Sequence, residues 1–318
     1  MAWDPTPWFV GNGAEHSPEI ARLLAFASTG GAEGIVTPGD LRVTALPVPD
    51  KHVRVNPGAA LLLNRSPNGA QQTYVGRNIT VDDVEINPTT SSGGRTDLII
   101  ARVEDPQFPG WAEPDDPTTG QYIFTRVIEG VGSGIRSARE LNLPYPAIAL
   151  AKVTLPPSTA TVTNAMITDL RRLATPRETR DFWVQGVQSR SDGPATSWGN
   201  YPNDGYDTDV PEWATQAQVS VELTGVQQRG LLNGSLRIMF GYGTGGATNF
   251  DFNDATTGTD VAVQTLKAYH RIADLSEFQG TRQTVRLQAV KAGGTGFLRV
   301  DVGISQISWD IQYYERAI

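Results

Sequence analysis

Residues 307–313 have the sequence ISWDIQY, in which an apolar side chain stands at every second position. The same alternation occurs at 219–223 (VSVEL), 236–240 (LRIMF) and 285–289 (VRLQA). Successive side chains of a β-strand point to opposite faces, so a period of two places one face in a core and the other in solvent. Several such strands separated by Gly-rich turns predict a jelly-roll-like β-sandwich in the C-terminal half.

The whole chain has the composition of a mainly β protein. Its 318 residues include 33 Gly and 21 Pro, and only 19% of the residues are charged, which is typical of short strands and many turns. One short helix is predicted near the N-terminus, where Ser17 can cap it and Pro18 fits its first position. Ile20 and Leu24 fall on its apolar face, which we expect to pack on the rest of the domain or on a neighbouring subunit.

The segment MITDLRRLATPR, residues 166–177, divides the chain. Pro176 ends any preceding helical turn, and the charges around it suit an exposed connection. The sequence therefore predicts an N-terminal β domain over residues 1–175, a linker over 176–181 and the outward-facing sandwich over 182–318.

Charge and composition exclude several classes of protein. The net charge is −8, and each half has four more acidic than basic residues, which disfavours binding to nucleic acid or to anionic lipid. The absence of Cys excludes disulfides and thiolate metal sites. No run of about 18 apolar residues occurs, so no membrane insertion is expected.

Five segments of the first half, taken together and in order, carry a family resemblance. They are 16–49, 53–64, 94–111 (GRTDLIIARVEDPQFPGW), 146–170 and the closing RRLATPR. These residues resemble the N-terminal domain of minor tail (tail-tip or baseplate) proteins of the long-tailed phages that infect actinobacteria. The resemblance implies a structural protein of the virion, attached to other tail-tip or baseplate proteins, with a C-terminal domain facing the host surface. Such a position favours closed symmetry, and we expect a homotrimer or homohexamer.

Two sets of charged residues have both a structural and an assembly interpretation. Asp97 beside Arg95 or Arg102 predicts a structural ion pair, with a subunit contact as the alternative. Asp169, Arg171 and Arg172 stand at the exit of the first domain, where they form either a solvated hinge or an interface at the tail hub.

An aromatic and acidic segment in the second half is the candidate glycan site. Aromatic faces stack on sugar rings, and nearby carboxylates and amides bind hydroxyl groups. The alternative is that these aromatic side chains fill the end of the sandwich core or pack against a neighbouring subunit. The candidate residues are Trp198, Tyr201, Asp204, Tyr206, Asp207 and Trp213.

No motif in the sequence indicates catalysis. GxSxG and HExxH are absent, and the three His residues lie far apart. Residues 241–246 match GxGxxG, but no helix pattern follows, so a hairpin or loop is expected there instead of a nucleotide site. Two acidic groups, Asp204/Asp207/Asp209 and Asp251/Asp254/Asp260, are expected to be solvated turns, with calcium binding as the alternative. We therefore expect a non-enzymatic protein without a cofactor; a glycan-binding module or, less favoured, a cell-wall depolymerase are the alternatives.

Overall fold

The computed structural model describes residues 17–66, 69, 71–116, 120–252 and 262–318, with the side chains of all of these except Asn203, Asp204 and Ala262. Two compact units are present. One contains the described residues up to Thr175 together with Ala317 and Ile318, and the other is Pro176–Arg316. Both units consist mainly of antiparallel β-sheet, as the sequence predicts. In the described part of the chain, no helix is long and apolar enough to cross a membrane.

In the first unit, the described residues form one α-helix, two 3₁₀ turns and ten strands in three small sheets. The sheets have the orders β1-β4-β5, β2-β3-β6 and β10-β9-β7-β8. The 3₁₀ turns are Ala138–Leu141 and Asn164–Met166. The helix and strands are α1 (Pro18–Thr29), β1 (Gly34–Ile35), β2 (Val43–Ala45), β3 (His52–Val55), β4 (Gly58–Leu63), β5 (Thr73–Asn78), β6 (Asp82–Glu85), β7 (Arg95–Val103), β8 (Ile123–Ile128), β9 (Ala147–Leu155) and β10 (Ile167–Asp169).

The helix begins where the sequence predicts and ends before a glycine. The Ser17 side chain accepts a hydrogen bond from the Ile20 amide at 3.3 Å, which satisfies one of the free amides of the first turn. Gly30 follows Thr29 with φ +62°, the left-handed conformation that glycine adopts without a steric penalty.

The segment 166–177 is tied to the beginning of the same unit. Ile35 donates to the Arg172 carbonyl at 2.9 Å, and Ala174 donates to the Ile35 carbonyl at 2.9 Å. Gly34 (φ +138°) allows this close approach, since a Cβ placed there would lie 2.1 Å from the Arg172 carbonyl oxygen. The segment that ends the first half is therefore hydrogen-bonded to β1.

The described residues of the second unit form eleven strands in two sheets. One sheet has the order β11-β21-β14-β20-β12 with β18 beside β14, and the other has β13-β19-β15-β16 with β17 beside β15. The strands are β11 (Glu178–Gly186), β12 (Ser191–Gly193), β13 (Gly199–Asp209), β14 (Gln216–Arg229), β15 (Leu232–Phe240), β16 (Gly243–Thr244), β17 (Thr248–Phe252), β18 (Ala262–Ile272), β19 (Arg282–Gly293), β20 (Phe297–Val300) and β21 (Gln306–Tyr314).

The strand order defines a jelly roll. The pairs β11/β12, β16/β17 and β20/β21 each act as one interrupted strand, which leaves eight strands. The first then pairs with the eighth, the second with the seventh, the third with the sixth and the fourth with the fifth. This nested antiparallel pairing, rolled into two sheets, is the jelly-roll topology, and it confirms the predicted fold class of the second half. The apolar residues of the alternating segments, including Trp309, Ile311, Leu223 and Leu287, form its core.

The beginning of the jelly roll differs from the sequence prediction. Residues 178–181, predicted as part of a linker, form the first half of β11, and every residue of β11 pairs with β21, from Glu178↔Tyr314 to Gly186↔Gln306. The sequence ETRD suggests a solvated connection because it is polar throughout. An edge strand tolerates the same composition, since its side chains are exposed on both faces.

Candidate functional site

A shallow groove of about 410 Å³ lies on the second unit, where the edge strands β11 and β13 and the neighbouring strand β19 contribute side chains. The groove combines aromatic, cationic, acidic and amide groups. Grooves that bind small molecules combine apolar surface with a few polar groups of fixed orientation. Its lining residues are Trp183, Gln185, Gly205, Tyr206, Asp207, Arg282, Thr284 and Arg286.

Two stacked aromatic rings form one wall of the groove. The rings of Trp183 and Tyr206 lie 5.6 Å apart with an interplanar angle of 16°. Trp183 is nevertheless 44% exposed on the edge strand β11. An exposed indole that is held in place by a stacked ring is a suitable surface for the apolar face of a ligand.

A chain of hydrogen bonds that starts at the Tyr206 hydroxyl fixes the orientation of its ring. Its hydroxyl donates to Asp181 at 2.8 Å, the Thr208 hydroxyl also reaches Asp181 at 2.9 Å, and Thr208 is 3.0 Å from the Tyr313 hydroxyl. Burial, and then the hydrogen bond to Asp181, raises the pKa of Tyr206 to about 12. Tyr206 therefore stays neutral at physiological pH and presents a fixed, uncharged ring.

Another part of the groove lining is charged. Asp207 accepts a hydrogen bond from the Thr284 hydroxyl at 2.6 Å and lies 3.7 Å from Arg282. Arg286 lies across from Gly205 in the β13–β19 pair. Among the described lining residues, two carry a guanidinium group and one carries a carboxylate, so the described part of the lining is cationic on a chain with a net charge of −8.

The structure brings together only part of the predicted glycan site. Tyr206 and Asp207 line the groove, whereas Tyr201 is 3% exposed and belongs to the core. A glycan contact for Tyr201 is therefore wrong, because its ring is covered by the sandwich itself. The side chain of Asp204 lies outside the described residues.

The two predicted tryptophans lie away from the groove lining. Arg237 covers the ring of Trp198 at 4.2 Å, and Arg177 lies 5.3 Å above the ring of Trp213, which packs against the core. Trp183 is the tryptophan that does line the groove, and it is not among the predicted site residues. Its signal was the run Phe182-Trp183-Val184, three large apolar residues in succession on a strand that begins with polar residues.

The helix α1 carries the predicted assembly residues Ile20 and Leu24. No residue of the helix is buried, and Leu24 is 41% exposed. Contacts of Arg22 attach the helix to its unit: Nε donates to Gln72 at 2.8 Å, and the guanidinium lies 4.8 Å from the centre of the Tyr74 ring. Much of the apolar face of the helix is therefore left accessible.

Asp169, Arg171 and Arg172 have different environments. The Arg171 side chain is fully buried; it donates to Asp169, to the Asp40 carbonyl at 2.6 Å and to the Ile318 carbonyl at 2.8 Å. Its predicted role at an interface is wrong, because all of these contacts lie within the first unit. Arg172 is exposed, and Asp169 is partly exposed beside Arg171.

Two further sequence interpretations are settled by the geometry. Asp97 is fully buried, and Arg95 donates to both of its carboxylate oxygens at 2.7 and 2.9 Å, which confirms the structural ion pair. The glycines of residues 241–246 lie at a hairpin in which Phe240 pairs with Gly243, as expected for this segment. Asp254 and Asp260 lie outside the described residues. Within the described part, no three acidic or His side chains converge on a possible metal position.

Comparisons with known proteins give only distant structural likenesses. No protein-family model matches the chain, and no curated protein matches it. Among solved structures, the VP2 subviral particle of infectious bursal disease virus is 11% identical, with 91% of this chain and 73% of that chain covered and a TM-score of 0.26. The T13 viral particle of the same virus is 13% identical, with 90% and 70% covered and a TM-score of 0.28. BuGH86wt in complex with neoagarooctaose is 10% identical, with 85% and 33% covered and a TM-score of 0.26.

Likenesses at these TM-scores do not establish a common fold. Function is therefore inferred from the sequence segments of the first unit and from the groove of the second.

Proposed function

We propose that this protein is a non-enzymatic structural component of a phage tail tip or baseplate. In this proposal, the first unit attaches to neighbouring tail proteins, and the jelly-roll unit contacts the surface of the host cell. The protein would then be part of the virion and present in several copies.

The observation that carries the proposal is the arrangement of the resembling segments. The segment 94–111 supplies β7, the segment 146–170 supplies β9 and β10, and β9 lies between β7 and β10 in one sheet. The closing RRLATPR bonds back to Ile35, which lies in the segment 16–49. The residues that resemble tail proteins therefore form one connected framework of one folded unit, which supports a shared attachment role.

The groove supports a role in contact with the host. It is open and shallow, and a polymer on a cell surface could lie across it without entering a closed pocket. Single sites of this type bind weakly, and several copies on one tail tip would raise the overall affinity by multivalency. A trimer or hexamer would supply those copies.

The groove also favours binding over cleavage. Glycosidases use two carboxyl groups on either side of the scissile bond, whereas Asp207 is the one carboxylate among the groove lining described here. A glycan-binding module without a tail position is the second candidate function, and the same groove supports it.

Immuno-electron microscopy of phage particles that carry this protein tests the tail position. Antibodies raised against the full-length chain should label the tail tip and leave the head unlabelled. Label on the head, or no label on particles, would overturn the tail assignment. Light scattering on the purified full-length protein tests the copy number. A stable monomer would mean that the symmetric oligomer forms only on the tail.

A further inference from the structure

The groove on the jelly roll has a more specific chemistry than a general carbohydrate platform. The stacked pair of Trp183 and Tyr206 supplies a flat apolar surface on one side. Gly205 has no side chain, and a Cβ at this position would lie 3.1 Å from Thr284 and 3.2 Å from Arg286. The glycine therefore leaves space beside Thr284 and Arg286.

The charged side of the groove is suited to an anion. Arg282 is 3.7 Å from Asp207, but the same carboxylate also accepts the hydrogen bond from Thr284. Among residues with described side chains, no carboxylate lies within ion-pair distance of Arg286, which is partly buried. A planar guanidinium presents several donors in a geometry that matches carboxylate and phosphate oxygens.

We propose that this groove binds a saccharide that carries a carboxylate or phosphate group. The sugar ring stacks on Trp183, and its anionic group pairs with Arg286, while Gln185 and Asp207 are in position to bind hydroxyl groups. This inference rests on the proposed role of the jelly-roll unit in host contact and names the class of ligand. A merely structural role for Trp183 and Tyr206, closing the open edge of the sandwich, predicts no such binding.

Saturation-transfer NMR and calorimetry on the full-length protein test the proposal with matched probes. Polygalacturonate is compared with its carboxyl-reduced form, which keeps the sugar rings and loses the charge. Glucose 6-phosphate is compared with glucose in a second arm. We expect the charged member of at least one pair to bind, the neutral member to bind at least tenfold more weakly, and affinity to fall as salt is added. The pair that responds identifies carboxylate or phosphate as the anionic group.

Substitutions at two positions locate the binding. Arg286→Gln should weaken binding of the charged probe about tenfold, which corresponds to about 1.4 kcal/mol. Trp183→Ala should abolish detectable binding, and Trp183→Phe should restore part of it because a smaller aromatic face remains. Arg271→Gln removes an equal charge from an exposed position on the other sheet and should leave binding unchanged. Thermal unfolding of each variant shows whether it is folded.

Three results would overturn the proposal: no binding of either charged probe, equal binding of charged and neutral members, or unchanged binding in folded Arg286→Gln and Trp183→Ala variants. These results are independent of the tail assignment. Tail-tip labelling without saccharide binding would remove only this inference, and binding without labelling would favour a free glycan-binding module.

Discussion

Arg171 and Asp169 form an ion pair with 2.7 Å between Nη2 and Oδ2, and only the arginine of this pair is buried. The guanidinium also donates to the carbonyl groups of Asp40 and Ile318, so it joins three distant parts of the first unit. The neighbouring Arg172 is exposed. The two adjacent arginines of RRLATPR therefore have different roles, one in holding the unit together and one on its surface.

Replacement of Arg171 should destabilise the first unit strongly. Arg171→Met leaves the Asp40 and Ile318 carbonyls without their donor, and we expect a loss of about 2–4 kcal/mol in the free energy of unfolding. Arg172→Met is the matched control, and we expect a change within about 0.5 kcal/mol. Urea unfolding, monitored through hydrogen exchange of the β9 and β10 amides, measures the free energy of unfolding of both variants. Equal effects of the two substitutions would contradict the structural role.

The buried ion pair of Arg95 and Asp97 gives a second contrast. Arg95→Met leaves a carboxylate buried with fewer partners, although the Gly130 amide still donates to it at 3.0 Å. We expect a loss of about 3–5 kcal/mol. The pair of Arg54 and Asp83 is similar in geometry but partly exposed, so Arg54→Met should cost about 1 kcal/mol or less. The urea midpoint of the first unit measures the loss of stability in each variant. Comparable shifts in the two variants would show that burial of Asp97 does not increase the loss.

Stability at high pH should depend on Tyr313. Burial raises the pKa of Tyr313 from 10.0 to about 12. A raised pKa means that the folded state holds the proton more tightly than the unfolded state does. The stabilisation is therefore complete below pH 10 and is lost as the pH rises through about 12.

Tyr313→Phe removes this titration and should flatten the pH dependence of jelly-roll stability in that range. Its hydrogen bond with Thr208 is also lost, so the variant should be less stable at neutral pH. Tyr269→Phe, at a tyrosine that is 59% exposed, is the control and should leave the profile unchanged. Urea unfolding monitored by Trp fluorescence at a series of pH values gives the comparison.

The exposed face of α1 should matter for assembly and little for folding. Leu24→Asp places a charge on an accessible surface, so the free energy of unfolding should change by about 0.5 kcal/mol or less. If the helix contacts a tail partner, the same substitution should strongly reduce incorporation into tails, because a charge would enter an apolar contact. Glu19→Gln on the same helix is the control. Normal incorporation of Leu24→Asp would exclude this face from attachment.

The sequence predicts the fold better than the site, because the pattern of a strand depends only on residues that are neighbours in the sequence. A period of two, as in ISWDIQY, follows from the geometry of a single strand, so the half-buried strands and the sandwich can be inferred without knowledge of their partners. The start of the jelly roll could not be inferred, because the polar residues 178–181 are compatible with both a linker and an edge strand. Only the pairing with β21 distinguishes these alternatives.

The groove depends on contacts between residues far apart in the sequence. Trp183, Tyr206 and Arg286 line one groove although they come from three different strands, β11, β13 and β19, and no local pattern specifies that arrangement. Composition selects a stretch that contains both Tyr206, which lines the groove, and Tyr201, which is buried, and only the three-dimensional packing distinguishes the two.

The first and last strands of the jelly roll, β11 and β21, are neighbours, with Glu178 opposite Tyr314. The chain therefore enters and leaves this unit at the same end, and Ala317 and Ile318 belong to the first unit again. Domains whose ends lie close together tolerate transfer into new chains. Residues 176–316 thus form a cassette that recombination could exchange at two joints, Thr175–Pro176 and Arg316–Ala317, in one genetic event that leaves the first unit unchanged.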